Sequence, residues 1–162
     1  MSKIVIFGNS GSGKSTLAKD LALKSKLAHL DLDTIAWKPA EPPERMPLSE
    51  SYVLISEFLN ANEAWLVEGC YSDLLELVTT KADEVIFLNV PISTCIANAK
   101  KRPWEPHKYQ SKEAQDANLD MLIDWISNYT SRNDTFSKVA HEKLYDECQG
   151  KKTMYVSNVR RT

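Results

Sequence analysis

The stretch Gly8-Asn9-Ser10-Gly11-Ser12-Gly13-Lys14-Ser15-Thr16 has the spacing G-x-x-x-x-G-K-[ST] and comes directly after a short apolar run. Its chemistry suits phosphate. Glycines let the chain turn tightly enough for successive backbone N–H groups to converge on phosphate oxygens, and the positive end of a following helix reinforces them. Lys14 then supplies a point charge for the β- and γ-phosphates, and the Ser15 hydroxyl supplies a ligand for Mg²⁺. A dinucleotide site fits less well. Gly8, Gly11 and Gly13 do not make G-x-G-x-x-G, and Lys14 stands where helix and strand would have to meet. The bland alternative is a glycine-rich turn with a solvated lysine.

Phosphate binding alone does not name a reaction, so the acids at strand ends matter. Asp31-Leu32-Asp33 closes a second apolar run and Glu68-Gly69 closes a third, Trp65-Leu66-Val67. Asp33 is placed to orient or deprotonate an acceptor hydroxyl, and Glu68 to hold Mg²⁺ through water. Helix capping by Asp31 and Asp33, and a solvated turn at Glu68, are the competing readings. Charge spreading over a transferring phosphoryl group also calls for cations. Of five arginines, Arg160 and Arg161 form the tail, Arg45 lies in a proline-rich segment, Arg102 ends a Lys-Lys-Arg run, and Arg132 precedes the last apolar stripe. Arg102 also fits a helix C-terminus, where cations are favourable against the dipole.

These residues need elements to carry them. Lys3 to Gly8 reads as a strand buried on both faces, and 28–32, 65–67, 85–90 and 153–156 read as four more. Helical stripes intervene. One starts near Lys14 with Leu17, Leu21 and Leu23 or Lys24; another carries Leu48, Tyr52, Ile55, Phe58 and Leu59. Pro91 opens a third, with Ile92, Cys95, Ile96 and Ala99. Leu119, Leu122, Ile123 and Ile126 make a fourth, and Phe136, Ala140, Leu144 and Cys148 a fifth with Asp134 as N-cap. Strand and helix in alternation predict a three-layer α/β fold with a parallel sheet. Two irregular stretches, 39–47 and 102–110, read as ligand-covering loops.

The composition fits a single domain over residues 1–162. There are 20 Lys and Arg against 22 Asp and Glu, a net charge of −2, with 43% hydrophobic residues. The charge is basic over 1–30, acidic over 31–90 and basic again beyond. No apolar run approaches the roughly 20 residues of a membrane span, and the start lacks an apolar signal segment, so a cytoplasmic location is expected. Cys70, Cys95 and Cys148 read as reduced core residues. His29, His107 and His141 are too scattered to suggest a metal cage or a Ser-His-Asp site, which leaves oxygen ligands for any metal. Near-neutral charge argues against nucleic acid as a partner.

Taken with His29-Leu-Asp31-Leu-Asp33, Trp37-Lys-Pro39, Trp65-Leu-Val-Glu68-Gly69-Cys-Tyr71-Ser72 and Val85-Ile-Phe-Leu-Asn-Val-Pro91, the P-loop resembles that of the bacterial topology modulation proteins. These look like adenylate and shikimate kinases in fold. The resemblance implies a P-loop NTPase fold with a five-stranded sheet in the order 2-3-1-4-5, an acceptor-side loop at about 37–50 and a lid at about 100–118. It implies ATP and Mg²⁺ as ligands. Gly8 to Thr16 would bind nucleotide; Ser15, Asp33 and Glu68 would meet metal; Lys14, Asp33, Arg102 and Arg132 would act in catalysis. The base would lie near Asn158 and Arg160. Glu68-Gly-Cys-Tyr71 replaces the Asp-Gly-Phe-Pro-Arg run of adenylate kinases, which argues against AMP as acceptor. The expectation is a kinase for a small acceptor, a nucleotide or hydroxy-metabolite, working as monomer or homodimer. A nucleotide-dependent regulatory or DNA-related switch, or ATP binding without turnover, are the alternatives.

Overall fold

The computed structural model describes residues 2–38 and 44–158. In chain order the elements are β1 (Lys3–Gly8), α1 (Lys14–Ser25), β2 (Ala28–Asp31), a 3₁₀ turn (Leu32–Thr34), β3 (Trp37–Lys38) and β4 (Glu44–Arg45). Then come α2 (Leu48–Ala61), β5 (Trp65–Gly69), α3 (Ser72–Thr79), β6 (Glu84–Leu88) and α4 (Ile92–Lys101). The last are α5 (Lys112–Ala117), α6 (Leu119–Ser127), α7 (Lys138–Glu147) and β7 (Lys151–Tyr155). Five strands form one parallel sheet in the order β2-β5-β1-β6-β7. With the two-residue strands β3 and β4 set apart as their own antiparallel pair, this is the expected order 2-3-1-4-5.

The central strands carry continuous apolar runs, Ile4 to Phe7, Trp65 to Val67 and Val85 to Leu88, because both faces of the sheet are covered, and alternate side chains enter different cores. Val5, Phe7, Val67, Val85 and Phe87 meet α2, α3 and α7 through Ile55, Leu59, Leu74, Leu75, Val78 and Leu144. Ile4, Ile6, Leu66, Ile86 and Leu88 meet α1 through Leu17 and Ala18 on the other side. A third cluster, Val90, Cys95, Ala99 and Ile126, joins α4 to α6.

Several local expectations change. The stripe of α1 is narrower than its leucines suggest: Leu17 and Ala18 are buried, whereas Leu23 stands in solvent. Helix α3 has no counterpart in the sequence reading, since eight residues with Leu74, Leu75 and Val78 buried are too short for periodicity to tell helix from strand. The short α5 is also new; Ser111 caps it, its side chain accepting from the Ala114 N–H. The N-cap of α7 is Ser137, which accepts from Ala140 N, whereas Asp134 accepts from Phe136 N one turn earlier. The 39–43 part of the proline-rich segment and Arg160 lie outside the described residues. Among the described residues no helix is long and apolar enough to cross a membrane.

Candidate functional site

Parallel strands deliver their C-terminal ends to one edge of the sheet. Here β1 leads into the glycine loop, β2 ends at Asp31 and β5 at Glu68-Gly69, with Ile6 and Asp31 both in register with Glu68. Above this edge lies a cleft of about 480 Å³, walled by the glycine loop and Lys14 to Thr16 on one side. Asp31, Asp33, Glu68 and Cys70 form its floor, and Lys101, Arg102, Glu105 and Lys108 lie along the other side.

The loop is a shaped cradle. Gly11 and Gly13 have φ of 78° and 96°, the left-handed region that favours glycine. A Cβ on Gly11 would meet the Cys95 carbonyl oxygen at 2.5 Å, and one on Gly13 the Asn158 side chain at 2.9 Å. Lys14 Nζ donates to the Asn9 carbonyl at 2.8 Å, and buried Asn9 donates in turn to Ile126 O. Asn98 bridges Gly11 O and Asn158 Oδ1, while Asn158 donates to Ser12 O at 2.9 Å, so α4 and the residues after β7 brace the loop. Ser12 Oγ is buried without a hydrogen-bond partner among the described residues; it packs behind the loop beside Gly8 and is not part of the cleft lining.

Two carboxylates stand beside it. Glu68, only 2% exposed, accepts from Ser15 Oγ at 2.8 Å and lies 2.6 Å from His29 Nε2. Asp33 is held from two directions: the Tyr71 hydroxyl donates to Oδ1, and Lys108 Nζ lies 2.8 Å from Oδ2. Trp37 Nε1 donates to that same hydroxyl at 2.8 Å. An indole N–H can only donate, so the Tyr71 proton goes to Asp33. Burial pushes the Asp33 carboxyl up, but the charge and hydrogen bond of Lys108, together with Tyr71, outweigh it and hold it below 3.8. Asp31 goes the other way. Burial, then the Asp33 and Glu68 charges, raise it. Asp31 Oδ1 accepts from Asp33 N, so Asp31 is the cap of the turn and Asp33 is the acid that turn presents. Burial lowers the Lys108 ammonium, yet Asp33 more than compensates and keeps it charged.

Of the expected site residues, Ser10, Gly11, Gly13, Lys14, Ser15, Thr16, Asp33, Glu68 and Arg102 line the cleft; Gly8, Asn9 and Ser12 support the loop from behind. Arg102 Nη1 is 3.3 Å from Glu105. Arg132 is not brought to the cleft. Its guanidinium stacks on Trp125 at 3.6 Å from the ring centroid and lies 4.0 Å from Asp134. Arg45 is engaged by Asp73 and lies over Tyr71. Cys70, expected in the core, also lines the cleft; burial pushes its thiol up to about 12, which leaves it a poor nucleophile.

Sequence reasoning missed His29, Tyr71 and Lys108. For His29 a signal existed: two residues before Asp31 on one strand, it shares that residue's face. Lys108 comes from an irregular segment in which no period marks which side chain turns inward.

The donor set bears on a cation. Among the described residues no three His, Cys, Asp or Glu side chains are grouped to hold a metal unaided. Ser15 with Glu68 behind it, next to the phosphate cradle, suits Mg²⁺, a hard ion usually held by few protein oxygens together with phosphate and water.

Comparison with known proteins agrees with this architecture. The uncharacterized protein YqaC of Bacillus subtilis (strain 168) is 28% identical over 167 residues, spanning 90% of this chain and 89% of that protein. Shikimate kinase from Bacteroides thetaiotaomicron superposes with a TM-score of 0.53 at 16% identity, covering 95% of this chain and 85% of the other. A gluconokinase from Sinorhizobium meliloti 1021 gives the same TM-score and identity over 98% and 84%. At that identity the likeness is one of fold, and the fold is that of P-loop kinases. Residues 4–119, most of the cleft's framework included, match the AAA domain family, to which this chain belongs.

Proposed function

We propose that the protein is a kinase that transfers the γ-phosphoryl group of Mg·ATP to the hydroxyl of a small acceptor. The observation that carries this reading is the meeting, in one cleft, of the P-loop with Lys14 and Ser15, the aimed carboxylate Asp33, and cations from the 102–110 segment. The loop N–H groups and Lys14 bind the phosphates. Asp33, kept ionised by Lys108 and aimed by Tyr71, accepts the proton of the attacking hydroxyl. Arg102 and Lys108 offset charge on the transferring group, and the segment that carries them, the lid over about 100–118, excludes water. Ser15 and Glu68 would hold Mg²⁺, which when bound neutralises phosphate charge. Asp33, engaged by Tyr71 and Lys108, serves the acceptor better than the metal. Arg132 would join catalysis only after leaving Trp125.

The resemblance of the quoted motifs to those of topology modulation proteins motivates the alternative of a DNA-related switch. A net charge of −2 weighs against it, since duplex binding draws on clustered Lys and Arg. The test measures ATP binding, and ATP consumption across a panel of nucleosides, sugars and hydroxy acids, in wild type and Lys14→Ala. Loss of binding in the variant and transfer to a panel member by wild type support the kinase. Binding without transfer to any acceptor leaves a nucleotide-binding protein, and a shift of duplex DNA at low salt favours the switch.

A further inference from the structure

We propose that His29 is a positioning residue for metal binding: it clamps Glu68 so that the Ser15 hydroxyl turns its oxygen lone pairs to the divalent cation that accompanies nucleotide. This rests on the Mg·nucleotide reading of the cleft and extends it to a residue on the edge strand.

The geometry is a chain of three side chains from three elements. His29 lies on β2, Glu68 on β5 and Ser15 in the first turn of α1. His29 Nε2 is 2.6 Å from Glu68 Oε2, and Ser15 Oγ is 2.8 Å from Glu68 Oε1. A carboxylate only accepts, so both neighbours donate to it. That direction has three consequences. His29 carries its proton on Nε2. Ser15 has a single hydroxyl proton, and with that proton committed to Glu68 the oxygen keeps its lone pairs for a cation. Both Glu68 oxygens are engaged, so this acid acts on the ion through Ser15 or a water and is not its main ligand.

Burial explains why a clamp is needed. Glu68 is almost fully withdrawn from solvent, where an ionised carboxylate without donors is costly. With Ser15 alone it would keep one oxygen unmatched and be free to rotate about its last torsion. The second donor fixes the plane of the carboxylate, and through it the hydroxyl. His29 itself is 24% exposed on the first strand of the sheet order, so replacing it does not open a core cavity. Partners of metal ligands that only orient them typically change metal affinity by about 10- to 100-fold.

The experiment uses ADP as probe, measured by calorimetry with Mg²⁺ and with EDTA, in wild type, His29→Leu and His29→Gln. Glutamine places an amide N–H near the position of Nε2; leucine fills similar space and donates nothing. His29→Leu is expected to reduce the Mg²⁺-dependent gain in ADP affinity by about 10-fold while metal-free ADP binds within twofold of wild type. His29→Gln is expected to recover most of the gain. Mn²⁺ in place of Mg²⁺ gives a direct readout, because bound and free Mn²⁺ differ in their electron paramagnetic resonance amplitude. Equal weakening of metal-free and metal-bound ADP in His29→Leu would show a merely structural contact and overturn the proposal. So would an unchanged Mg²⁺ gain, or a glutamine variant as impaired as the leucine one. A wild type that binds ADP no better with Mg²⁺ than without it contradicts the Mg·nucleotide reading itself, a different failure.

Discussion

Lowering the pH from 7 to 5 is expected to cost the fold about 2 kcal/mol through one residue, His141. Its imidazole is completely buried and lies against Phe7, Phe87 and Tyr129, with ring centroids 5.8, 6.0 and 5.5 Å away. Nε2 is 2.8 Å from the Cys70 carbonyl, which can only accept, so that nitrogen carries the proton. Nδ1 then accepts from the Tyr129 hydroxyl at 2.7 Å. Burial dominates and lowers its pKa from 6.5 to about 4, the Cys70 carbonyl resisting. The unfolded chain therefore takes up the proton first. His141 favours the fold fully above about pH 6.5, and that contribution is lost as the pH falls towards 4. By pH 5 the gap is about 1.5 pH units at about 1.4 kcal/mol each, hence about 2 kcal/mol, or about 4–8 °C in Tm at this chain length. Asp31 opposes this trend, because a raised carboxyl gains stability as it protonates. The assay is therefore the difference between wild type and His141→Gln in urea melts at pH 7, 6 and 5. The variant is expected to be weaker at pH 7 but flatter with pH. Parallel slopes in the two proteins would refute the assignment.

Other perturbations read other parts of the site. Gly11→Ala brings a Cβ to 2.5 Å from the Cys95 carbonyl at φ 78°, so a loss of about 1–3 kcal/mol in stability and at least about 10-fold in nucleotide affinity is expected; binding at wild-type strength would show that the loop does not hold phosphate. Tyr71→Phe removes the donor to Asp33 and strands the Trp37 N–H, for about 1–3 kcal/mol, with nucleotide affinity within twofold of wild type; calorimetry and chemical melts check both. In Lys108→Met the ion pair between the 102–110 segment and Asp33 is gone, so amide exchange across 103–110 should speed up several-fold, and unchanged exchange would show that the pair does not hold the segment down.

The framework was legible because its signals are local and repeated. Ile4 to Phe7 and Val85 to Leu88 announce strands buried on both faces, and the glycine spacing of the P-loop dictates the turn between the first of them and α1. The acids Asp33 and Glu68 were visible because parallel strands bring their ends to one edge. What escaped depends on contacts between distant segments. Nothing near Lys108 in the sequence says that it reaches Asp33, 75 residues away. The pairing of His29 with Glu68 depends on β2 lying beside β5, a property of sheet order that the histidine's own surroundings do not encode. Arg132 illustrates the converse. As one of few arginines, placed before the last apolar stripe, it was a candidate for phosphate, yet Trp125, on the preceding helix, offers the guanidinium an aromatic face instead. Helix α3 shows the limit of periodicity, since its burial is set by packing on α2 and α7.

The most direct test of the central claim is single-turnover transfer from γ-labelled ATP, with Mg²⁺, to a panel of nucleosides, sugars and hydroxy acids, alongside ATP affinity in wild type and Lys14→Ala. The expected result is label on at least one hydroxyl acceptor with wild type, and ATP affinity at least about 10-fold weaker in the variant. Label retained on ATP across the whole panel, or ATP bound equally well without Lys14, would contradict a P-loop kinase acting through this cleft.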